Sequence, residues 1–136
     1  MKVLALDYGS ARTGVAVSDP TGTVARPVGV VERAATEAGL ARLAELVRTE
    51  NPERIVVGLP LTLRGERGEQ AIETERFVEA LRAAVDVPIE SFDERFTTDL
   101  AQQTAQSIGS RAAPEDAIAA AHLLSGWLER WTTTAS

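Results

Sequence analysis

Near the start of the chain lie Val3-Leu4-Ala5-Leu6-Asp7-Tyr8-Gly9, four consecutive apolar residues followed by an acid and a glycine-containing turn. An uninterrupted apolar run of this length predicts a central β-strand that is buried on both faces. The segment from Gly9 to Gly14 predicts a tight turn, and Val15 to Ser18 predicts a second strand. Because the connecting turns are short, these strands and a third from Val24 to Val31 should pair antiparallel. Pro27 should make the third strand irregular or place it at an edge.

Helices and strands alternate in the rest of the chain. Apolar residues at one-face spacing predict helices, and short apolar runs predict strands. The predicted helices are 34–49, 69–84, 97–108 and the segment after Pro114, and the predicted strands are 54–58 and 88–92. Strand–helix–strand units favour parallel, right-handed crossovers. We therefore expect one α/β domain over residues 1–136, with helices on the faces of a five-stranded mixed sheet. Its first three strands should be antiparallel and the later ones parallel.

The composition narrows the class of protein. Of 136 residues, 44% are hydrophobic and 25% are charged, which is an ordinary balance for a soluble globular protein. No apolar run approaches the roughly 20 residues of a membrane span, so no membrane partner is expected. The chain has no cysteine, which excludes disulfides, thiolate metal sites and cysteine nucleophiles. The cytoplasm is the expected compartment.

The net charge also restricts the partners. The chain carries 14 basic and 20 acidic residues, for a formal net charge of −6. An acidic protein is not a general binder of polyanions, because attraction to phosphates requires positive charge. If nucleic acid is the partner, local basic groups or metal ions must supply that charge.

Three acids stand at the ends of predicted elements. Asp7 follows the first strand, Glu94 follows the fifth, and Asp116 lies in the first turn of the last helix. Each has an ordinary structural explanation alone, as a turn residue, a surface charge, or an acid interacting with the helix dipole. Taken together, they predict carboxylates that converge at one end of the sheet. Asp93 should point away from Glu94, because consecutive strand residues face opposite ways.

Converging carboxylates predict a metal site. Three of them repel one another strongly unless cations lie between them. Hard divalent cations such as Mg²⁺ and Mn²⁺ prefer oxygen ligands. A two-metal site of this kind activates a water and stabilises the leaving oxygen in phosphodiester cleavage. Asp7, Glu94 and Asp116 are thus the candidate catalytic and metal-binding residues.

Basic and hydroxyl side chains near these acids are candidates for binding substrate phosphates. Arg12 lies in the first turn, Arg64 and Arg67 lie in a glycine-containing loop, and Arg95 adjoins Glu94. Thr97 could donate to phosphate in the same way. The alternative is structural, since loop arginines are often solvated and threonines often cap helices or bond turn backbone.

The single histidine and the two tryptophans have structural interpretations. His122 is six residues after Asp116, which separates the two by about 120° around a helix. We therefore expect a half-exposed structural histidine outside the site of that acid. Trp127 and Trp131 lie beside apolar residues of the last helix and are expected to pack rather than to stack on bases.

Four motifs resemble those of one known family. They occur in family order over nearly the whole chain, as Leu6–Val17 (LDYGSARTGVAV), Ile55–Leu61 (IVVGLPL), Asp93–Thr98 (DERFTT) and Asp116–Ala120 (DAIAA). By these motifs the chain resembles the YqgF/RuvX-type nucleases, Holliday-junction-resolvase-like proteins that are also described as pre-16S rRNA nucleases. The family often has lysine-rich sequence before the last aspartate, where this chain has Arg111-Ala112-Ala113-Pro114-Glu115.

The resemblance implies a ribonuclease H-like fold and a carboxylate triad at Asp7, Glu94 and Asp116. It also implies a divalent-metal-dependent nuclease that trims precursor 16S rRNA near its 5′ end, with the ribosomal particle as a candidate partner. The alternative within the family is a resolvase of four-way DNA junctions. Two coordinated cuts need paired sites and hence a homodimer, whereas trimming one RNA strand needs only a monomer.

Two further classes of function fit less well. Asp7-x-Gly9 followed by Thr13-Gly14 is also similar to the phosphate loop of actin and sugar kinases. Those proteins hold nucleotide between two domains, and one domain of 136 residues lacks the second half. A non-catalytic nucleic-acid-binding factor is disfavoured by the retained acids and by the negative net charge.

Overall fold

A five-stranded mixed sheet is the centre of the computed structural model, which describes residues 1–60, 64, 66–94 and 114–135. The strands are β1 (Val3–Asp7), β2 (Arg12–Ser18), β3 (Ala25–Glu32), β4 (Arg54–Leu59) and β5 (Ile89–Asp93). The helices in these ranges are α1 (Glu37–Glu50), α2 (Glu69–Ala84) and α3 (Glu115–Ala135). The strand order is β3-β2-β1-β4-β5, with β1, β2 and β3 antiparallel and β4 and β5 parallel to β1. The predicted architecture is confirmed.

The sheet is covered on both faces, so the central strand is buried on both sides. Leu4 and Leu6 of β1 belong to a cluster shared with α1 and α2, while Val3 and Ala5 belong to a second cluster with α3. All four side chains are at most 1% exposed. This alternation explains why β1 is apolar without interruption, and Asp7 is the first residue of β1 that is only half-buried.

The turn after β1 is shorter than predicted. Strand β2 begins at Arg12, three residues before the predicted start, and Gly14 pairs with Asp7 inside the β1–β2 ladder. Gly14 is thus not a turn residue. A Cβ at this position would overlap the backbone carbonyl oxygen of Asp116, so glycine is needed for the close approach of α3.

Strand β3 is the irregular edge strand that Pro27 predicts. It lies at the end of the strand order, and its register with β2 shifts between Val15 and Ala16. Proline has no N–H for the ladder, and a bulge next to it is the usual accommodation.

The remaining element ends differ little from the sequence prediction. Helix α1 begins three residues later than predicted because Thr36 caps it, its hydroxyl oxygen accepting from the Gly39 N–H at 3.1 Å. Helix α3 follows Pro114, whose carbonyl accepts from the Ile118 N–H at 3.0 Å. The predicted helix at 97–108 lies outside the described residues. Across the helices that are described, none has the length and apolar character needed to cross a membrane.

Candidate active site

The fold brings three predicted acids toward one edge of the sheet. Strands β1, β4 and β5 are parallel neighbours, so their carboxyl ends share that edge. Asp7 is the last residue of β1, and Glu94 directly follows β5. Asp116 is the second residue of α3.

Glu94 and Asp7 share a hydrogen bond between their side chains. The protonated carboxyl of Glu94 donates to the carboxylate of Asp7. Burial raises the pKa of Glu94 to about 7, and the negative charge of Asp7 and the shared hydrogen bond add to this effect. Burial also raises the pKa of Asp7, against the opposing effect of the hydrogen bond from Glu94. At neutral pH the pair therefore keeps a proton for much of the time.

Asp116 lies near this pair but has a different partner. Its charge contributes to the raised pKa of Asp7. Its carboxylate Oδ2 is 3.3 Å from Nε of Arg12, in a pair that is largely exposed. Within the described ranges, no group of three or more acidic or histidine side chains lies close enough together to hold a metal ion. Asp7 and Glu94 are thus joined by a hydrogen bond, whereas the nearby Asp116 forms an ion pair with Arg12.

Two glycines make this arrangement possible. Gly14 lets the first turn of α3 approach β2, as described above, and so positions Asp116. On β4, a Cβ at Gly58 would lie 2.7 Å from Oε1 of Glu94 and 3.0 Å from Leu123. A larger residue at position 58 would displace Glu94. Neither glycine was assigned this role from the sequence, and the available signal was their place inside two of the four family motifs.

Hollows flank the acid pair on both faces of the sheet. The hollow on the α3 side, about 270 Å³, is lined by Asp7, Glu94, Ala119, His122 and Leu123. The one on the α2 side is about 210 Å³, and we call it the α2 hollow. Its described lining residues are Asp7, Tyr8, Gly9, Ser10, Pro60, Gln70, Glu73, Thr74 and Glu94. Among the described residues, Asp7 and Glu94 thus line both hollows.

His122 lines the hollow on the α3 side of the acid pair. It is half-buried, as expected, and Asp116 does not line its hollow, but Asp7 and Glu94 do. Helical spacing relates His122 only to residues of its own helix, such as Asp116, and not to acids on the strands. Its Nε2 is buried and has no hydrogen-bond partner among the residues that the structure describes.

Among the described residues, those that were predicted to bind phosphate lie at different distances from the acids. Arg12 forms an ion pair with Asp116, and 66% of the Arg12 side chain is exposed. Arg67 pairs with Glu75 of α2, with Nη2 2.6 Å from Oε1, and neither Arg64 nor Arg67 lines the hollows. Arg95 and Thr97 lie outside the described residues.

Two further side chains lie next to the acids. Asp93 does not line either hollow, although its charge adds to the raised pKa of Glu94. Thr13 is fully buried and its hydroxyl bonds the backbone of Gly9, so it stabilises the turn.

The tryptophans pack at the opposite end of α3. Trp127 is buried and stacks on Trp131 with a centroid distance of 5.3 Å. Its Nε1 donates to Glu90 at 2.6 Å, and the guanidinium of Arg54 lies against both rings. This cluster ties α3 to β4 and β5, which confirms the expected packing role, although Trp131 remains 41% exposed.

Known proteins resemble the chain over most of its length. A protein of Chloroflexus aggregans is 40% identical over 93% of this chain and 92% of its own length, and one of Nocardia farcinica is 42% identical over 93% and 76%. Both carry the name "Putative pre-16S rRNA nuclease". Relatives of this kind establish membership of a family.

Solved structures support the fold. RuvC of T. thermophilus, in complex with a Holliday junction substrate, matches with a TM-score of 0.71 at 20% identity, covering 98% of this chain and 97% of that one. The fowlpox virus Holliday junction resolvase matches with a TM-score of 0.57 at 14% identity, covering 96% and 99%. These likenesses show a RuvC-like, ribonuclease H-like fold. The RuvX family profile, described as Holliday junction resolvase, matches residues 1–130. Together with the relatives, this match shows that the chain belongs to the RuvX family of nucleases.

Proposed function

We propose that this protein is a divalent-metal-dependent nuclease that hydrolyses phosphodiester bonds in precursor 16S rRNA near its 5′ end, in the cytoplasm. The names of its relatives support the substrate. The observation that carries the chemistry is the hydrogen-bonded pair of Asp7 and Glu94 at the open edge of the sheet. Carboxyl groups whose pKa values are raised in this way cluster at functional sites.

The donor chemistry of the acid pair fits Mg²⁺ or Mn²⁺. Asp7 and Glu94 offer hard oxygen ligands, and they hold a proton between them because burial disfavours their charged forms and because two neighbouring negative charges repel. A divalent cation compensates that repulsion better than one proton. Asp7 and Glu94 would hold the metal, with Asp116 completing a two-metal site after exchanging Arg12. When bound, the metals lower the pKa of a water and stabilise the leaving oxygen.

The side chains around the acids orient the substrate. The guanidinium of Arg12 is exposed and presents donors beside Asp116, where it can bind a phosphate of the RNA. Binding a phosphate would also release Asp116 from its present partner. Arg64, Arg67, Arg95 and Thr97 are further proposed contacts to the flanking phosphates.

The test compares two substrates under the same metal and salt conditions. A precursor-rRNA 5′ segment should be cleaved with Mg²⁺ or Mn²⁺, and a mobile four-way DNA junction should be cleaved poorly or not at all. Asp7→Asn, Glu94→Gln and Asp116→Asn should each lower the rate roughly hundredfold or more, and a chelator should abolish it. Asp93→Asn should have a milder effect, and Asp86→Asn, an exposed acid outside both hollows, serves as the control.

Contrary results are easily recognised. Full activity in folded Asp116→Asn, or in chelator, would overturn the metal-triad mechanism. Preferential cleavage of the junction would instead favour the resolvase, which requires two paired sites and therefore a dimer. The mass of the complex with each substrate shows whether one or two copies of the enzyme bind, and it therefore distinguishes the rRNA nuclease from the resolvase.

A further inference from the structure

The α2 hollow adjoins the acid pair and has its own recognition groups. Asp7 and Glu94 form the wall that it shares with the proposed catalytic site. Its volume of about 210 Å³ is below the roughly 300 Å³ of the smaller small-molecule pockets, so it suits part of a ligand. A group bound here would lie next to a phosphate held at the acids.

The charge of the α2 hollow limits what can bind there. Its described lining contains three acids, Asp7, Glu73 and Glu94, and no basic side chain. A phosphate would meet only negative charge on these walls, and a metal at Asp7 and Glu94 would leave Glu73 uncompensated. An uncharged group that donates hydrogen bonds is the chemistry that fits.

Glu73 is held in position to accept such a bond. Its Oε1 accepts from the hydroxyl of Tyr8 at 3.3 Å, which leaves its other oxygen available. Tyr8 in turn stacks on Phe77, with a centroid distance of 4.5 Å and an interplanar angle of 19°. Phe77 is 1% exposed, so this chain of contacts anchors Glu73 to the core.

Two further polar side chains line the hollow, those of Ser10 and Gln70. Within the part of the chain that the structure describes, neither side chain takes part in a hydrogen bond. Both are exposed. The hollow thus offers a hydroxyl and an amide in addition to the free oxygen of Glu73. A ribose presents hydroxyls that match this set, whereas deoxyribose lacks the one at the 2′ position.

We propose that the α2 hollow binds the ribose of a nucleotide adjacent to the scissile phosphate, and that Glu73 accepts a hydrogen bond from its 2′-hydroxyl. Tyr8 is then the positioning residue for Glu73. This inference rests on the proposed nuclease function and adds to it the residues that distinguish RNA from DNA. A base amino group can also donate a hydrogen bond to Glu73. The substrates of the test therefore change the 2′-hydroxyl and the base amino group separately.

The experiment is a double-mutant cycle between residue 73 and the sugar. The enzymes are wild type, Glu73→Met, which keeps the length but removes the acceptor, and Glu79→Met as control. Glu79 is an exposed acid of the same helix that pairs with Arg82 outside the hollow. The substrates carry ribose, 2′-deoxyribose or 2′-fluororibose at each single position around the cleavage site. A further strand has inosine in place of guanosine, which removes a base amino group.

The wild type should cleave one ribose-containing position roughly tenfold or more faster than its 2′-deoxy and 2′-fluoro forms, as for one hydrogen bond to a charged group. Glu73→Met should lose that preference and should cleave the modified strands as the wild type does. Glu79→Met should keep it, and Tyr8→Phe should weaken it. Equal preference in Glu73→Met and wild type would overturn the inference, as would sensitivity to inosine alone.

A binding measurement separates this inference from the proposed function. The affinity of Asp7→Asn for the ribose and 2′-deoxy strands is measured without turnover. If wild type cleaves no RNA but this preference persists and depends on Glu73, the nuclease proposal fails while the ribose site stands. If RNA is cleaved and neither rate nor affinity depends on Glu73, the ribose site fails alone.

Discussion

Gly14 of β2 lies directly against the backbone carbonyl of Asp116, in the first turn of α3. The contact couples the strand that pairs with Asp7 to the helix that carries the third acid. The position of Asp116 therefore depends on a residue with no side chain.

Gly14→Ala should destabilise the protein and displace the start of α3. The added methyl group overlaps backbone, which cannot move aside as a side chain can, so we expect a loss of about 2 kcal/mol or more in the free energy of unfolding. Denaturant unfolding measures this loss. Gly29→Ala is the matched control, since a Cβ there would meet no atom within 4 Å. Equal stability of the two variants would contradict the close approach.

The stability of the metal-free protein should fall as pH rises from about 4.5 to 7. The pKa of Glu94 is about 7 in the folded protein against 4.5 for the unperturbed group, so folding favours the protonated form. This contribution is complete below pH 4.5 and is lost as pH rises through 7. Glu94→Gln does not titrate, so wild type should lose about 1–2 kcal/mol relative to it, after allowance for solvent screening.

Unfolding in chelator at several pH values measures that difference. It reports the pair as a whole, because Asp7 and Glu94 share the proton. A difference that is independent of pH between 4.5 and 7 would show that folding does not raise the pKa of Glu94.

Arg12→Ala should weaken RNA binding more at low salt than at high salt. If Arg12 contacts one phosphate, the slope of log affinity against log salt concentration should decrease by about one. The fold should change little, because the exposed ion pair with Asp116 contributes at most about 1 kcal/mol. Arg42→Ala, an exposed arginine of α1, should leave the slope unchanged. An unchanged slope in Arg12→Ala would remove Arg12 from the phosphate contacts.

His122→Leu should leave the stability unchanged or increase it. The Nε2 atom of His122 is buried without a hydrogen-bond partner in the described ranges of the chain, and such a group carries a desolvation cost of about 1–3 kcal/mol that an apolar side chain avoids. Thermal and denaturant unfolding measure the effect, with His122→Gln as the polar comparison. A large loss of stability in His122→Leu would show that the nitrogen has a partner in solution.

The sequence was sufficient for the architecture because its periodicity reports burial directly. The unbroken apolar run from Val3 to Leu6 has only one explanation in a two-sided sheet, and Pro27 indicates the edge. The acids at the ends of β1 and β5 could be predicted in the same way, since parallel strands end at one edge.

The details that sequence reasoning did not address depend on contacts between distant parts of the chain. Gly14 has the local appearance of a turn residue, and only the packing of α3 explains its place inside a strand. The approach of His122 to Asp7 and Glu94 depends on where α3 crosses the sheet, which helical spacing cannot give. The pairing of Arg67 with Glu75 likewise joins a loop to a helix by tertiary geometry.

The interrupted edge strand bears on how two copies of the chain can associate. Pro27 lacks an N–H, and the register shift between Val15 and Ala16 bends β3 where a neighbouring strand would have to align. These features disfavour the merging of two sheets through β3 into one uninterrupted ladder. We therefore expect a dimer that offers a branched duplex two cutting centres to use other surfaces of the molecule.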